Sequence, residues 1–591
     1  MSERRPTDSV EHTPSRADTP SRRHVIRQLA WAAATATLGG SLGACGGGGG
    51  SGATPATTGS QPLAQFKHGV ASGDPLADRV ILWTRLSPLS VFGGEIEVDW
   101  EVASDADFKV LVALGKTRTR PDQDYTVKVD VTGLSAATTY FYRFRSASQT
   151  SPAGRTKTLP TGTIDSVRLA VFSCANFPQG FFNVYDDASQ RDDVDAAIHL
   201  GDYIYEFEKG FYEAATAAEM GRQVDPPHEI VSLKDYRLRH AQYKTDAQLQ
   251  KLHARMPMIA VWDDHEFSDD TWMNGAANHD DATEGSFAAR KAAAMQAYHE
   301  WMPTRVSTNP GIIYRSFAFG DLLALHMLDT RAVGRDRQIA YAPLLALPEA
   351  QFLPALQNAI NDGKRELLGA TQFAWLQKSL ADSKALWQVL GQQVVMGRMH
   401  LPKPIVLGWL GKPGGVSASD YQRIAALAQT KPSQLSAADK ALLAQPRIPY
   451  NLDAWDGYAA AREKVLQASL ELKKNLVVLS GDTHNAWANV LKTDGGTAAG
   501  VEFATASVSS PGFDANTGIV PAELKSALES LLPDLRYCDT ARRGYLLVTA
   551  TRQACTSEWV QVSTVSSTSY SARVDASWRV VPSQLGGLVK A

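Results

Sequence analysis

Six short apolar runs punctuate the chain from Val167 onward, and polar residues stand at the carboxyl end of nearly every one. They read "VRLAVFSCANF", "VDAAIHLGDYIYEF", "MIAVWDDHEF", "LLALHMLDTRAV", "WQVLGQQVVMG" and "NLVVLSGDTHNAW". Runs of about four to eight apolar residues suit strands buried on both faces, although periodicity alone does not separate them from buried helices. Between them the spacing predicts helices over 233–253 and 287–301, so the region 165–591 reads as an α/β core. Residues 411–450 carry no strand signal and form an insertion on one rim. Within it, Ser436 followed by helix formers reads as an N-cap. No internal repeat is visible.

The pattern upstream is different. From Phe66 to about Pro160 the stretches "VILWTRL", "IEVDWEVAS", "YTVKVDVTGL" and "TYFYRFRSA" alternate apolar and polar positions between turn signals, as in a small β-sandwich. "VTGLSAATTYFYRF" resembles the strand-turn-strand end of a fibronectin type III module, with Tyr140 as its tyrosine-corner candidate. This domain, 65–160, offers little chemistry.

Composition narrows the function classes. A chain of 591 residues with 44% hydrophobic and 20% charged positions is too long for one small core, so more than one domain is expected. A net charge of −3 lacks the basic surface that phosphate backbones require, and nucleic acid is not an expected partner.

Residues 1–64 look like a targeting segment and linker. A basic stretch precedes an apolar run from Leu29 to Leu42 and then small residues, the order of a secretory signal. The run is too short to span a bilayer comfortably. Ser21, Arg22, Arg23, Val25 and Ile26 match the twin-arginine export pattern. "LGAC" resembles a lipobox, which leaves two outcomes: a protein lipidated at Cys45 on a flexible Gly/Ser tether, or a soluble exported protein cleaved nearby. The expected location is periplasmic, extracellular or lipid-anchored at the cell envelope, with the twin-arginine machinery as partner. That route carries folded proteins, consistent with a metal loaded in the cytoplasm. Four cysteines do not make a disulfide framework. Cys538 and Cys555 either pair or stay as buried thiols.

The chemistry gathers at the ends of the apolar runs, where α/β sheets place their ligand sites. These ends supply Cys174 and Asn176, Asp202 and Tyr205, Asp263, Asp264 and His265, Asp329 and Arg331, and Asp482 and His484. Each alone has a bland reading; five ends agreeing point to a shared metal site. A thiolate, a phenolate, a carboxylate and an imidazole suit iron above all. The oxygen-rich remainder of Asp202, Asp264, Asp482 and Asn176 suits calcium, manganese or magnesium, with Asp202 placed to bridge.

The ordered motifs "FKHGVASGDPLADRVILWTRL", "FSCANF", "LGDYIYE", "WDDHEF", "LDTRAVGRDRQ", "LLGATQFAWL", "GDTHNAW" and "RGYLLV" make the chain similar to the PhoD-like alkaline phosphatase and phosphodiesterase family. That family is a branch of the calcineurin-like metallophosphoesterases, and the resemblance covers the chain after the export signal. It implies a metallophosphoesterase β-sandwich flanked by helices behind the small all-β domain. It also implies ferric iron held by Cys174, Asp202, Tyr205 and His484, and calcium held by Asp202, Asp264 and Asp482, with Asn176 open. Asp264 stands where the superfamily has asparagine, and Asp482 where it has histidine.

On this reading a metal-bound hydroxide attacks a phosphomonoester or phosphodiester. His265 protonates the leaving oxygen. Arg331 either clamps phosphate or makes a salt bridge to Asp329 or Asp336. Tyr236, Arg237 and Arg239 are weaker candidates on a capping helix. Rival functions are a phospholipase D-type lipid phosphodiesterase on the same site and a surface-anchored binding protein without catalysis. A serine hydrolase lacks its nucleophile elbow.

Overall fold

The computed structural model describes residues 63–515 and 520–591. The export signal, the Cys45 lipobox and nearly all of the Gly/Ser linker lie outside the described residues. Among those described, no helix is long and apolar enough to cross a membrane.

The alternating N-terminal stretches are strands. They are β1 (Val70–Gly73), β2 (Arg79–Arg85), β3 (Ile96–Ala103), β4 (Leu111–Thr119), β5 (Thr126–Thr132), β6 (Thr139–Ser146) and β7 (Gly154–Lys157). One sheet has the order β7-β6-β3-β4; β1, β2 and β5 pair in that order opposite it. Val80, Leu82, Val98, Tyr142 and Phe144 share the core between them. The tyrosine corner is present: the Ser135 amide donates to the Tyr140 hydroxyl at 2.9 Å.

The second sheet of this sandwich runs on into the core domain. Gly73 of β1 pairs in parallel with Met258. A Cβ at Gly73 would stand 2.2 Å from the Pro303 carbonyl oxygen, so the close approach requires glycine. The next residue, Asp74, is fully buried and accepts from Arg315 at 2.6 and 2.9 Å and from the Arg305 amide at 2.7 Å. "ASGDP" is therefore a joint between domains.

The core strands are β8 (Ser166–Phe172), β9 (Ala196–His199), β10 (Met258–Ala260), β11 (Arg315–Phe319), β12 (Leu323–Met327) and β13 (Trp387–Gly391). There follow β14 (Asn475–Ser480), β15 (Ala486–Lys492), β16 (Ala498–Ala504), β17 (Leu535–Asp539), β18 (Gly544–Thr551), β19 (Cys555–Val562) and β20 (Ala572–Val580). One sheet runs β20-β19-β18-β8-β9-β10 and continues into β1-β2-β5; the other runs β11-β12-β13-β14-β16-β15-β17. All six apolar runs are strands, and β8 to β10 and β12 to β14 are parallel neighbours.

The uninterrupted apolar character of these runs has a simple cause. Val389 and Val477 face the other sheet in a core shared with Leu169, Val171 and Ile198. Their neighbours Leu390 and Val478 face outward onto Leu376, Leu380, Val465 and Leu466 of covering helices. Strands covered on both faces have no polar side to show.

The helix read over 287–301 is present as Phe287–Trp301. The helix read over 233–253 is two, Leu233–Lys244 and Ala247–Arg255. Asp246 interrupts it by accepting from the Gln248 and Leu249 amides at 2.9 and 3.0 Å, which caps a new helix. In the rim insertion Ser436 caps Ala437–Leu443 as read, but the segment ends in a short strand, Arg447–Pro449, paired with His400–Pro402. Three residues including a proline give no alternation to read.

Cys538 and Cys555 are free buried thiols. They stand on β17 and β19, strands of different sheets, and burial pushes the Cys555 thiol up to about 12.

Candidate metal centre

The site begins where the parallel strands stop. Beyond β8 and β9 the two exits stay bonded, Cys174 N–H to Gly201 O at 3.2 Å and Ala175 N–H to Asp202 O at 2.8 Å. Val261 N–H to His199 O at 3.0 Å does the same for β10. The buried amide of Gln393, just past β13, donates to the carbonyls of Trp262 and Leu328 and accepts from Thr330, tying three exits together. Four candidate ligands occupy the left-handed backbone region: Cys174 at φ 62°, Asp202 at 55°, Asp482 at 59° and His484 at 61°. Each such residue costs about 1 kcal/mol or more, a strain characteristic of functional turns.

These turns bring the donors together. Donor atoms of Cys174, Asp202 and His484 lie within 4.8 Å of one another; so do those of Asp202, Asp264 and His265, and those of Asp263, Asp264 and Asp482. The Tyr205 hydroxyl donates to Asp202 Oδ2 at 2.9 Å and lies 3.3 Å from His484 Nε2. Asn176 is buried alongside, its Nδ2 donating to Tyr212 O at 2.9 Å. Asp269 and Asp270 form a further group with Asp264.

Arg331 stands in the middle, fully buried. Its Nε donates to Asp263 at 2.5 Å, Nη1 to Asp453 at 2.9 Å and Nη2 to Asp482 at 3.1 Å, with Asp264 3.7 Å away. Its ion-pair partners are these four carboxylates and not Asp329 or Asp336. Asp329 turns back to accept the Arg331 and Ala332 amides and a bond from Trp262 Nε1, which leaves it outside the cluster. Burial pushes the Asp263 carboxyl well above its usual range; Arg331 pulls the other way, and Asp264, Asp202 and Asp482 push further upward. Asp263 Oδ2 and Asn176 Oδ1 are buried with no hydrogen-bond partner among the described residues. A pocket with four crowded carboxylates, one guanidinium and orphaned oxygens fits cations.

Two glutamates organise the rest. Glu266 accepts from the amides of Asp202 at 3.0 Å, Tyr203 at 2.5 Å and Asp263 at 2.7 Å, bracing two exits at once. Glu206 accepts from His265 Nδ1 at 2.6 Å and from the Asp269 amide at 2.7 Å. Burial raises the Glu206 carboxyl, but the charge and hydrogen bond of His265 together with the charge of Arg290 outweigh it, so the net shift is downward. The His265 ring stacks on Tyr205 at 4.2 Å.

Sequence reasoning missed Glu206, Asp453 and Gln393. Glu206 had a signal, lying in "LGDYIYE" beside Tyr205; Asp453, just after the rim insertion, had none. The weaker candidates are structural. Arg237 pairs with Glu300, Arg239 holds the carbonyls of Tyr205, Phe207, Asp225 and Pro226, and Tyr236 donates to the Phe267 carbonyl.

Fold and donor set together define an α/β protein with a candidate metal centre at its strand ends. The comparisons give the family. Residues 169–559 match the PhoD-like phosphatase family, and residues 52–160 match the PhoD-like phosphatase, N-terminal domain. Alkaline phosphatase D of Bacillus subtilis (strain 168) is 34% identical over 467 residues, covering 76% of this chain and 70% of the relative. A solved structure described as PhoD aligns with a TM-score of 0.73 at 30% identity, covering 91% of this chain and 93% of that one. The chain belongs to the PhoD-like phosphatase family and is a phosphoric ester hydrolase.

Proposed function

We propose that the protein is an exported, metal-dependent phosphoesterase that releases phosphate from small phosphomonoesters and phosphodiesters. The observation that carries this reading is the meeting of two donor groups at one residue: Cys174, Asp202 and His484 on one side, Asp202, Asp264 and His265 on the other. Cys174, Asp202, Tyr205 and His484 would hold ferric iron; Asp202, Asp264 and Asp482, with Asn176, would hold calcium. Bound there, the metals supply an activated nucleophile and draw charge from the phosphoryl oxygens. Arg331 keeps Asp263, Asp453 and Asp482 in register as a fixed positive charge behind the donors. Export by the twin-arginine route and an acyl anchor at Cys45 rest on the sequence of residues 1–64.

His265 is the proposed proton donor. Glu206 accepts a hydrogen bond from Nδ1 and stabilises the imidazolium, which leaves Nε2, 3.9 Å from Asp269 Oδ1, to serve the leaving oxygen. His265→Ala should lower kcat by about 10²- to 10⁴-fold with metal content near that of the wild type. Loss of metal from that variant would make His265 a ligand instead.

The reading is tested on natively exported protein by elemental analysis and visible absorption. A thiolate or tyrosinate to ferric iron band, lost in Tyr205→Phe or Cys174→Ser, is the expected result; colourless zinc protein would count against it. Parallel assays on a phosphomonoester, a phosphodiester and phosphatidylcholine separate the general phosphoesterase from a lipid diesterase.

A further inference from the structure

A cavity of about 270 Å³ lies between the helix Glu349–Ile360, the paired strands His400–Pro402 and Arg447–Pro449, and the start of the helix Ala459–Glu471. None of its lining residues belongs to the metal-donor groups. Gln357, Asn361, Arg447 and Asp494 in its lining are exposed, so it opens to solvent, and Leu353, Leu356 and Ile360 make one wall apolar. Three guanidiniums also line it. Arg398 pairs with Asp494. Arg462 is 1% exposed; its Nε and Nη1 donate to the carbonyls of Met396 at 2.7 Å and Lys492 at 2.9 Å, and Nη2 has no acceptor among the described residues. Arg447 donates through Nη2 to the carbonyls of His400 and Leu531. Among the described residues neither Arg447 nor Arg462 has a carboxylate partner. The other acid of the lining, Asp456, accepts the Met399 amide at 2.7 Å and faces His400 Nε2 at 3.5 Å.

We propose that this cavity is a second anion site, which takes a phosphate or phosphonate dianion bearing a short carbon chain. It does not depend on the phosphoesterase reading. A buried charge is ordinarily paired, whereas Arg462 reaches only neutral carbonyls and keeps Nη2 for the cavity that it lines. Burial, and after it the charge of Arg398, push the Arg462 guanidinium below its ordinary value; Asp456, Glu502 and Asp494 pull the other way without reversing the shift. An anion in the cavity relieves both arginines. The two guanidiniums without a carboxylate match the two charges of a phosphoryl group, and their forked donors suit its oxygens. Leu353, Leu356 and Ile360 offer the carbon chain a surface on which to leave water.

The test is calorimetric titration of the full chain with butylphosphonate, in the metal-loaded wild type and in Asp202→Asn, which disables the metal centre. Asp202→Asn should still bind butylphosphonate, and inorganic phosphate, which lacks the chain, about 10-fold more weakly. Adding Arg447→Gln, a change at an exposed position, should weaken butylphosphonate about 10-fold or more, and Arg462→Met should do the same from the buried side. In the otherwise wild-type enzyme Arg447→Gln should leave kcat unchanged. The proposal is overturned if Asp202→Asn binds no butylphosphonate, or binds it equally well with and without Arg447→Gln. A fall in kcat that matches the loss of binding in Arg447→Gln also overturns it, because the cavity would then belong to the metal centre.

Discussion

Asp202→Asn is expected to lower kcat by about a thousandfold or more, with loss of bound metal in the same variant. Asp202 is the residue common to both leading donor groups, so one substitution removes a negative charge from each. Asparagine is the appropriate replacement because the Asp202 backbone sits at φ 55°, a region that asparagine and aspartate tolerate better than alanine. The side chain keeps its size, and a nitrogen donor replaces one oxygen. Circular dichroism like that of the wild type together with an empty elemental analysis would assign the loss to the site. Near-normal metal and turnover in this variant would remove Asp202 from the centre and sink the bridging role.

The second large effect is expected from a residue that binds nothing in the reaction. Glu266→Ala leaves the amides of Asp202, Tyr203 and Asp263 buried without their acceptor. Each unsatisfied amide costs about 1–3 kcal/mol, so unfolding by denaturant should show a loss of about 3 kcal/mol or more. Activity should fall with it, because two exits lose the brace that fixes them. Space nearby does not allow an easy rearrangement: Gly201 has φ 107°, and a Cβ there would meet the Asp263 Cβ at 2.4 Å. Glu266→Gln keeps one carbonyl oxygen and turns an N–H₂ toward the amides, so it should recover only part of the stability. A wild-type unfolding midpoint in Glu266→Ala would refute the bracing role.

Much of the architecture was legible along the chain because burial leaves a local trace. The runs at 167–172 and 475–480 read as strands because both faces are covered, and "TYFYRFRS" as a strand because one face is not. Polar residues just past each run marked the strand exits for the same reason, since only a chain leaving the core has cause to change character so abruptly. The split of the helix at Asp246 was harder to see. A capping aspartate inside a helical pattern looks like any surface acid until its side chain is seen to accept from the following amides.

The site was legible in composition but not in arrangement. The sequence by itself determined which donors exist, and their positions after successive strands implied a common location, because parallel neighbours end on the same side. Only the tertiary structure decided how they connect. It set Arg331 among Asp263, Asp453 and Asp482, joined Glu206 to His265, and turned Cys174, Asp202, Asp482 and His484 into the left-handed region. Those relations hold between residues as many as 151 positions apart, as from Arg331 to Asp482, and no local pattern encodes the direction of a side chain across that span. Periodicity records which face a residue buries; what it touches there depends on the register and twist of strands brought together from the whole chain.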